Sequence, residues 1–447
     1  MKILLITSFF PPTHTAGTEK RTFGYAKTLI ERGHDVQVLC AENWERGSHY
    51  WNGATDEVFE GIPVRRVHLN WKKSPDPNLY LYRNPLIYEK LSEWLLQWNP
   101  DIVHITSCLT LSGSVVEAAK AQNLPTVLTL TDFWFLCHKL SLLRYDNTLC
   151  DGNVSDRTCV RCLTWNSRLY QRLRKFSDPV ATEALYYVSK IPAINQKRGL
   201  RGMALNISQR RFYLNAILNL ADTVTAPSHH LRSTFYNAGV NRSIEVVQSG
   251  HDLSWLEGYE KQPGKHVRFG YIGQMIPTKG IHTLLEAFGQ IDINGQAGLH
   301  LYGPQNDPVY WQRLQTIENR NAADTFFHGA FLPEQLGEVL AGLDVLIVPS
   351  EWHENNPRVI QEAFASKTPV IASDVGGIAE YVQHGVNGLL FRRGDSRDLG
   401  AQIQFLAANP SKIRELSANC PRVKTIKDEI DEFESIYRKS QKISKGI

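Results

Sequence analysis

Two glutamates, Glu354 and Glu362, stand on either side of a helix start in the stretch SEWHENNPRVIQEAF, residues 350–364. Asn355 and Asn356 are favourable N-cap types, and Pro357 suits the first helical position, where its missing N–H costs nothing. The spacing therefore predicts a helix beginning near Pro357. Upstream, DVLIVPS (344–350) is a short β-branched apolar run; downstream, KTPVIASDVGG is a second such run closed by glycines. Strand, loop, helix and strand in that order put the helix N-terminus at the carboxyl edge of a parallel sheet, where α/β folds bind ligands. Free N–H groups at Arg358 and Val359 favour an anion there. At about 1.5 Å of rise per residue, Glu362 lies roughly 7 to 8 Å beyond the helix start. A diphosphate on the helix end would leave one carboxylate for a polyol and the other for a ribose diol, which a carboxylate grips bidentately. Nucleotide sugars have that outline. Arg358 and Glu362, four apart on one face, could equally form an exposed ion pair of small energy.

The elements that must position these residues follow from the rest of the chain. Its 447 residues exceed one compact core and point to two domains or three. Hydrophobic content of 42% and charged content of 21% are those of an ordinary globular protein. A net charge of +4 is too small to argue for nucleic-acid binding by the whole chain. The opening MKILLITS reads as a first strand rather than an export signal, and no run approaches the roughly 18 apolar residues that span a bilayer. A cytoplasmic protein is expected. One series of strands runs through KILLITS, HDVQVLC, IPVRRVHL, DIVHITS, TVLTLTD, ADTVTAPS and SIEVVQSG, with helical patterns such as EKRTFGYAKTLIERG between several of them. A second runs through VRFGYIG, GLHLYG, TFFHG, DVLIVPS, TPVIAS and NGLLF. Such alternation is generated by βαβ crossovers and parallel sheets. The polar, irregular segment 251–266 with Pro263-Gly264 reads as the linker. The expected architecture is α/β, with two Rossmann-like doubly wound domains facing a cleft. An acceptor-side domain over 1–254 would be completed by a helix at about 426–447, and a donor-binding domain would cover 255–425.

The stretch from Val345 to Phe391 resembles the donor-binding signature of the family 4 glycosyltransferases of the GT-B fold. The likeness extends through GYIGQMIPTKGIHTLLEAF, VVQSGHD, DTVTAPSHHLRSTF and TLTDFWFLC, in that family's order. Members of that family move a sugar from a nucleoside diphosphate to an acceptor hydroxyl with retention and without a metal ion. By position, the resemblance implies that Glu354 bonds a donor-sugar hydroxyl and that Glu362 holds the ribose diol. Lys279 would neutralise the diphosphate, with Asn355, Asn356, Arg358 and Val359 nearby, and Phe331 would pack the nucleobase. Gly17 matches a glycine loop where a missing side chain lets the diphosphate approach. Two positions depart from the pattern: Gln274 replaces a common arginine beside the phosphates, and Thr131 replaces a common histidine near the transferring sugar. Asp132 follows Thr131 and His104 is one strand away, each a candidate participant or a structural residue.

Cys137, Cys150, Cys159 and Cys162 are separated by 12, 8 and 2 residues, and the last pair has the C-x2-C spacing of a zinc knuckle. A structural zinc and buried free thiols are the two readings. The segment 166–211 follows, within an insertion over 137–211. Arg168, Arg172, Arg174, Lys175, Lys190, Lys197, Arg198, Arg201, Arg210 and Arg211 there face only Asp178 and Glu183. Leu169, Leu173, Phe176, Leu185, Tyr186 and Tyr187 are interleaved with them. Such a basic amphipathic segment suits an anionic membrane surface or a lipid-diphosphate acceptor, or else a solvated helical pair. The expected protein is a retaining, hexosyl-type glycosyltransferase, catalytically metal-free, acting on a cell-surface polysaccharide or glycolipid at the cytoplasmic face. A nucleotide-sugar-binding protein without transfer activity is the competing reading, and a nucleotide-sugar epimerase the third.

Overall fold

Short buried runs of Val, Ile and Leu cannot stand alone; they pair side by side where helices cover both faces. In the computed structural model this happens twice, in units formed by 1–248 with 426–447 and by 249–425. The structure describes residues 1–42, 45, 47–188, 190–191, 203–292, 297–319 and 324–444. Lys197, Arg198 and Arg201 of the basic segment lie outside them.

The first unit carries strands β1 (Lys2–Ile6), β2 (Asp35–Ala41), β3 (Trp51–Phe59), β4 (Ile62–Leu69), β5 (Ile102–Ile105), β6 (Thr126–Thr129), β7 (Thr223–Ala226) and β8 (Glu245–Val246). Their order is β3-β4-β2-β1-β5-β6-β7-β8, with the crossover direction reversing between β1 and β5. Every pairing is parallel except β3 on β4, a hairpin turning at Glu60 and Gly61, both at positive φ. The sequence reading had no strand at β3, because WNGATDEVF lies on an open edge and lacks the apolar alternation that burial imposes. Helices α1 (Gly17–Glu31), α2 (Pro85–Trp98), α3 (Ser114–Ala121), α4 (Asp156–Thr164), α5 (Arg168–Leu173), α6 (Asp178–Val188), α7 (Met203–Leu220) and α8 (His229–Asn237) complete this part. The inserted helices α4 to α6 enclose a small core of their own, in which Val160, Tyr170, Ala181 and Leu185 meet Ile207 of α7.

The second unit has β9 (Val267–Ile272), β10 (Ala297–Tyr302), β11 (Thr325–Gly329), β12 (Val345–Val348), β13 (Val370–Ser373) and β14 (Gly388–Phe391), all parallel, in the order β11-β10-β9-β12-β13-β14. The six strands are those expected. Helices α9 (Ile281–Gln290), α10 (Pro308–Glu318), α11 (Leu336–Ala341), α12 (Arg358–Ala365), α13 (Ile378–Tyr381), α14 (Ser396–Ala408) and α15 (Pro410–Ala418) surround it. Its core joins Phe269, Leu299 and Ile347 to Leu284 and Phe288 of α9 and Leu399 and Ile403 of α14.

The chain then returns to the first unit as α16 (Ile426–Ser444), whose Ile430, Phe433, Ile436 and Tyr437 enter the core beneath α1. Glu429 is fully buried there and accepts from Arg21 Nε at 3.1 Å and from the Tyr25 hydroxyl. Tyr437 bonds His104 Nδ1 at 2.8 Å. Removing one partner of a buried ion pair strands the other charge. Glu429→Ala should therefore destabilise the first unit by about 3–5 kcal/mol, read as a lowered midpoint in chemical unfolding, while Glu429→Gln should lose less.

Candidate active site

Glu354 lies in the loop leaving β12 and is only 7% exposed. One of its oxygens accepts three bonds, from Lys279 Nζ at 2.6 Å, Ser350 Oγ at 2.7 Å and Trp352 Nε1 at 2.9 Å. The lysine ammonium also sits 5.4 Å from the centre of the Trp352 ring. Local backbone explains why these groups meet. Lys279 ends a 3-10 turn, Pro277–Lys279, that follows β9, and the next residue, Gly280, has φ +70°. A Cβ on Gly280 would come within 1.9 Å of the Pro349 carbonyl, so only glycine lets this turn press against the β12 loop. Glu351 N–H seals the contact by donating to the Thr278 carbonyl at 2.8 Å. From the other side, Gly376 (φ +60°) and Gly377 follow β13, and Gly377 N–H donates to the Glu354 carbonyl at 2.6 Å. Three carboxyl-edge loops thus fix one carboxylate. Ser350 and Trp352 carry no chemical signal in the sequence, although both lie in the stretch that carries the glutamates; Gly376-Gly377 read there only as the close of a strand.

Burial alone would raise the Glu354 carboxyl, but the charge of Lys279 and the three hydrogen bonds outweigh it and hold the group below its ordinary value. Neighbouring Glu351 is anchored away from it, accepting from Thr283 Oγ1 at 2.7 Å and facing His282 Nε2 at 3.2 Å. Burial also opposes its ionisation, and bonds to His282 and Thr283 again keep its pKa low.

The helix expected at Pro357 starts one residue later. Pro357 is its N-cap residue, with no side-chain cap, and α12 opens at Arg358. Asn356 does not cap it: its Oδ1 accepts from Gln361 Nε2 at 2.6 Å and from the Tyr381 hydroxyl at 3.0 Å, tying the first turn of α12 to α13. The backbone N–H groups at this end, those of Arg358 and Val359 among them, carry no side-chain cap. Glu362 sits 3.7 Å from Arg358 Nη2, one helical turn away on the same face. Asn355 lies in the same loop as Glu354, and a Cβ on Gly377 would come within 2.7 Å of its carbonyl. At the carboxyl ends of β9 to β11, Gln274 is exposed with its carbonyl taken by Tyr271 at 2.8 Å, and Phe331 meets the edge of Tyr302 with ring centres 6.0 Å apart.

Gly17 and Asp132 belong to the first unit. Gly17 is the exposed first residue of α1. Asp132 follows β6 and accepts from Trp134 N–H at 2.7 Å. Burial, with a smaller push from Glu19, raises its carboxyl to about 6 against the opposing charge of Arg210. His104 is a core residue with its Nε2 on Thr129 Oγ1 at 2.7 Å, and burial beside Arg21 pushes it down to about 3.

The zinc expectation is not met. Cys137, Cys150, Cys159 and Cys162 line one cavity of about 40 Å³, but among the described residues no group of three or more His, Cys, Asp or Glu is disposed to hold a metal ion. The thiols behave as small apolar groups. Burial pushes Cys159 up to about 12 and raises Cys162, which donates to the Leu143 carbonyl at 3.9 Å.

Because the Glu354 carboxyl is depressed in the folded protein, its pairing adds stability that is complete above about pH 4.5 and is lost as pH falls through the lowered value. Lys279→Ala removes the main attraction and leaves burial dominant. The acid limb of unfolding, followed against pH, should move upward in this variant, and an unmoved limb would show that the lysine does not set the titration.

Comparison with known proteins bears on the family and the fold. Residues 259–423 match the model described as glycosyl transferases group 1, and residues 16–184 match the glycosyl transferase 4-like domain. A GDP-mannose-dependent alpha-mannosyltransferase of Corynebacterium glutamicum is 24% identical over 394 residues, covering 87% of this chain and 76% of its own. A D-inositol 3-phosphate glycosyltransferase of Rhodococcus erythropolis is 30% identical over 204 residues, 42% of this chain and 45% of its own. Among solved structures, Anabaena HepE in complex with UDP and glucose superposes with a TM-score of 0.62 at 20% identity, covering 97% of this chain and 99% of that one. With both units matched and the fold shared along the whole chain, the protein is a glycosyltransferase of the GT-B fold, GT4-like in its amino-terminal half.

Proposed function

We propose that the enzyme transfers a hexose, with retention of anomeric configuration, from a nucleoside-diphosphate sugar to a hydroxyl of a cell-surface polysaccharide or lipid-linked glycan. The observation that carries this reading is the Lys279–Glu354 pair, in which a cation from the β9 loop meets, at 2.6 Å, a buried carboxylate in the loop that feeds the uncapped N-terminus of α12. The C. glutamicum relative is named for GDP-mannose, and structures of HepE are described with UDP and with UDP-glucose. These support a nucleotide-sugar donor for this chain and leave base and sugar to experiment.

In this reading the donor diphosphate takes over Lys279 and the free N–H groups of Arg358 and Val359. Glu354, released from the lysine but still held by Ser350 and Trp352, accepts a hydroxyl of the donor sugar. Glu362 turns from Arg358 to the ribose diol, Asn355 and Asn356 border the sugar and phosphates, and Phe331 packs the base beside Gln274. Of the first unit's residues, Gly17 and Asp132 are the two assigned a part in the reaction. As the bond from the anomeric carbon to the phosphate oxygen breaks, the diphosphate leaves with the bonding pair. The acceptor oxygen bonds the same face and its proton passes to the departing phosphate oxygen, so no protein base is required. Lys279 and the helix end meet a diphosphate that gains further negative charge as the bond breaks, so they stabilise the transition state more than the ground state and lower the barrier. A lipid-linked acceptor would be met at the inner face of the plasma membrane.

The competing reading, a donor-binding protein without transfer activity, rests on Thr131 and Gln274. Incubation with a panel of nucleotide sugars and membrane extracts separates the two, since donor binding without nucleotide release across the panel would favour the inactive protein. Lys279→Ala should lower turnover by roughly a hundredfold or more, and near-normal turnover would place the diphosphate elsewhere. Glu362→Ala should weaken nucleoside diphosphate binding by about 1.5–3 kcal/mol in calorimetry, whereas unchanged affinity would leave Glu362 as a simple partner of Arg358.

A further inference from the structure

Helices α5 and α6 are apolar on two sides. Inward, Tyr170, Ala181 and Leu185 close the small core of the insertion. Outward, Phe176 is 93% exposed, Val180 65% and Tyr187 59%, with Leu169 and Ile191 also exposed. A surface helix needs one apolar stripe, and a second one marks a face that meets something other than water. Phe176 lies in the turn joining the two helices, so it is the part of the insertion that projects. Its neighbours are cationic: Arg168, Arg172 and Lys175 are exposed, and among the described residues none of the three has a carboxylate partner. The two acids of the segment are already engaged, Asp178 by Arg161 and Glu183 by Arg157. The surface is thus a set of separated apolar side chains among uncompensated cations. A protein interface depletes charge at its centre, whereas a helix lying in a lipid headgroup layer combines these features. No helix among the described residues is long and apolar enough to cross a membrane, so such a segment would lie on a bilayer.

We propose that α5, α6 and the turn between them dock the enzyme on an anionic lipid bilayer, with Phe176 and Val180 entering the acyl boundary and Arg168, Arg172 and Lys175 resting on lipid phosphates. The inference goes beyond the transfer reaction and stands on these side chains alone, so the loss of either reading leaves the other intact. The full chain is sedimented with vesicles of phosphatidylcholine, with and without phosphatidylglycerol. Binding is expected on the anionic vesicles only, weakening as salt rises. Phe176→Ser with Val180→Ser should reduce partitioning roughly tenfold or more, and Arg168→Gln with Arg172→Gln and Lys175→Gln should reduce it at least as far. All five side chains are exposed, so circular dichroism and the unfolding midpoint should match the parent protein. The proposal is overturned if the parent protein stays in the supernatant with anionic vesicles, if it binds both compositions equally, or if the serine variant binds undiminished. Lipid-free sedimentation showing self-association that the serine variant abolishes would instead assign this face to a second copy of the chain.

Discussion

A carboxylate taken out of water must be compensated, and around Glu354 that requirement organises the second unit. Its acceptor oxygen needs a cation and two neutral donors within hydrogen-bond reach, and these come from the β9 and β12 loops. Bringing the loops close enough forces a bare backbone at Gly280, where a side chain would collide with Pro349, and at Gly376, where it would collide with the Glu354 backbone. The parallel sheet then has little freedom of its own. Strands β9, β12 and β13 are adjacent in the order that delivers their carboxyl ends to one place.

This arrangement has a chemical character that a simple anion site lacks. An unpaired lysine would attract phosphate strongly but would also hold any passing anion. With Glu354 on it, Lys279 is neutralised. In the proposed reading, a ligand that offers both a replacement anion and a hydroxyl for the displaced carboxylate is favoured over one that offers the anion alone.

What could be read in the chain depended on burial. Runs such as VLIV at β12 and VIAS at β13 are enclosed on both faces, so their composition announced a parallel sheet. The edge strand β3 is largely open to solvent, and nothing in its residue types required a strand. The two glutamates were legible because ionisable groups in a strand–loop–helix context point to a ligand, whereas Lys279 entered only through the family resemblance. The partners that hold them, Ser350 and Trp352, carry no such mark. Residue preference placed the start of α12 near Pro357, where it lies, but did not show that Asn356 bonds Gln361 and Tyr381 rather than capping the helix. The cysteines show the limit of spacing: a C-x2-C pair on α4 describes one turn of helix as readily as a metal clip, and among the described residues no three ligands are disposed around one ion.

The return of α16 has a consequence for how the molecule comes into being. Arg21 and Glu429 are 408 residues apart, and between them the whole second unit is made. On the ribosome, the second unit is a continuous segment that can close as soon as it emerges. The first must wait, its underside bare of Ile430, Phe433 and Tyr437 and its Arg21 without Glu429, until α16 has followed the whole second unit. During that interval an apolar face is held open beside a nascent neighbour. The unit made first is thus the one completed last, and the final helix acts as the latch that ends its exposure to chaperones and proteases.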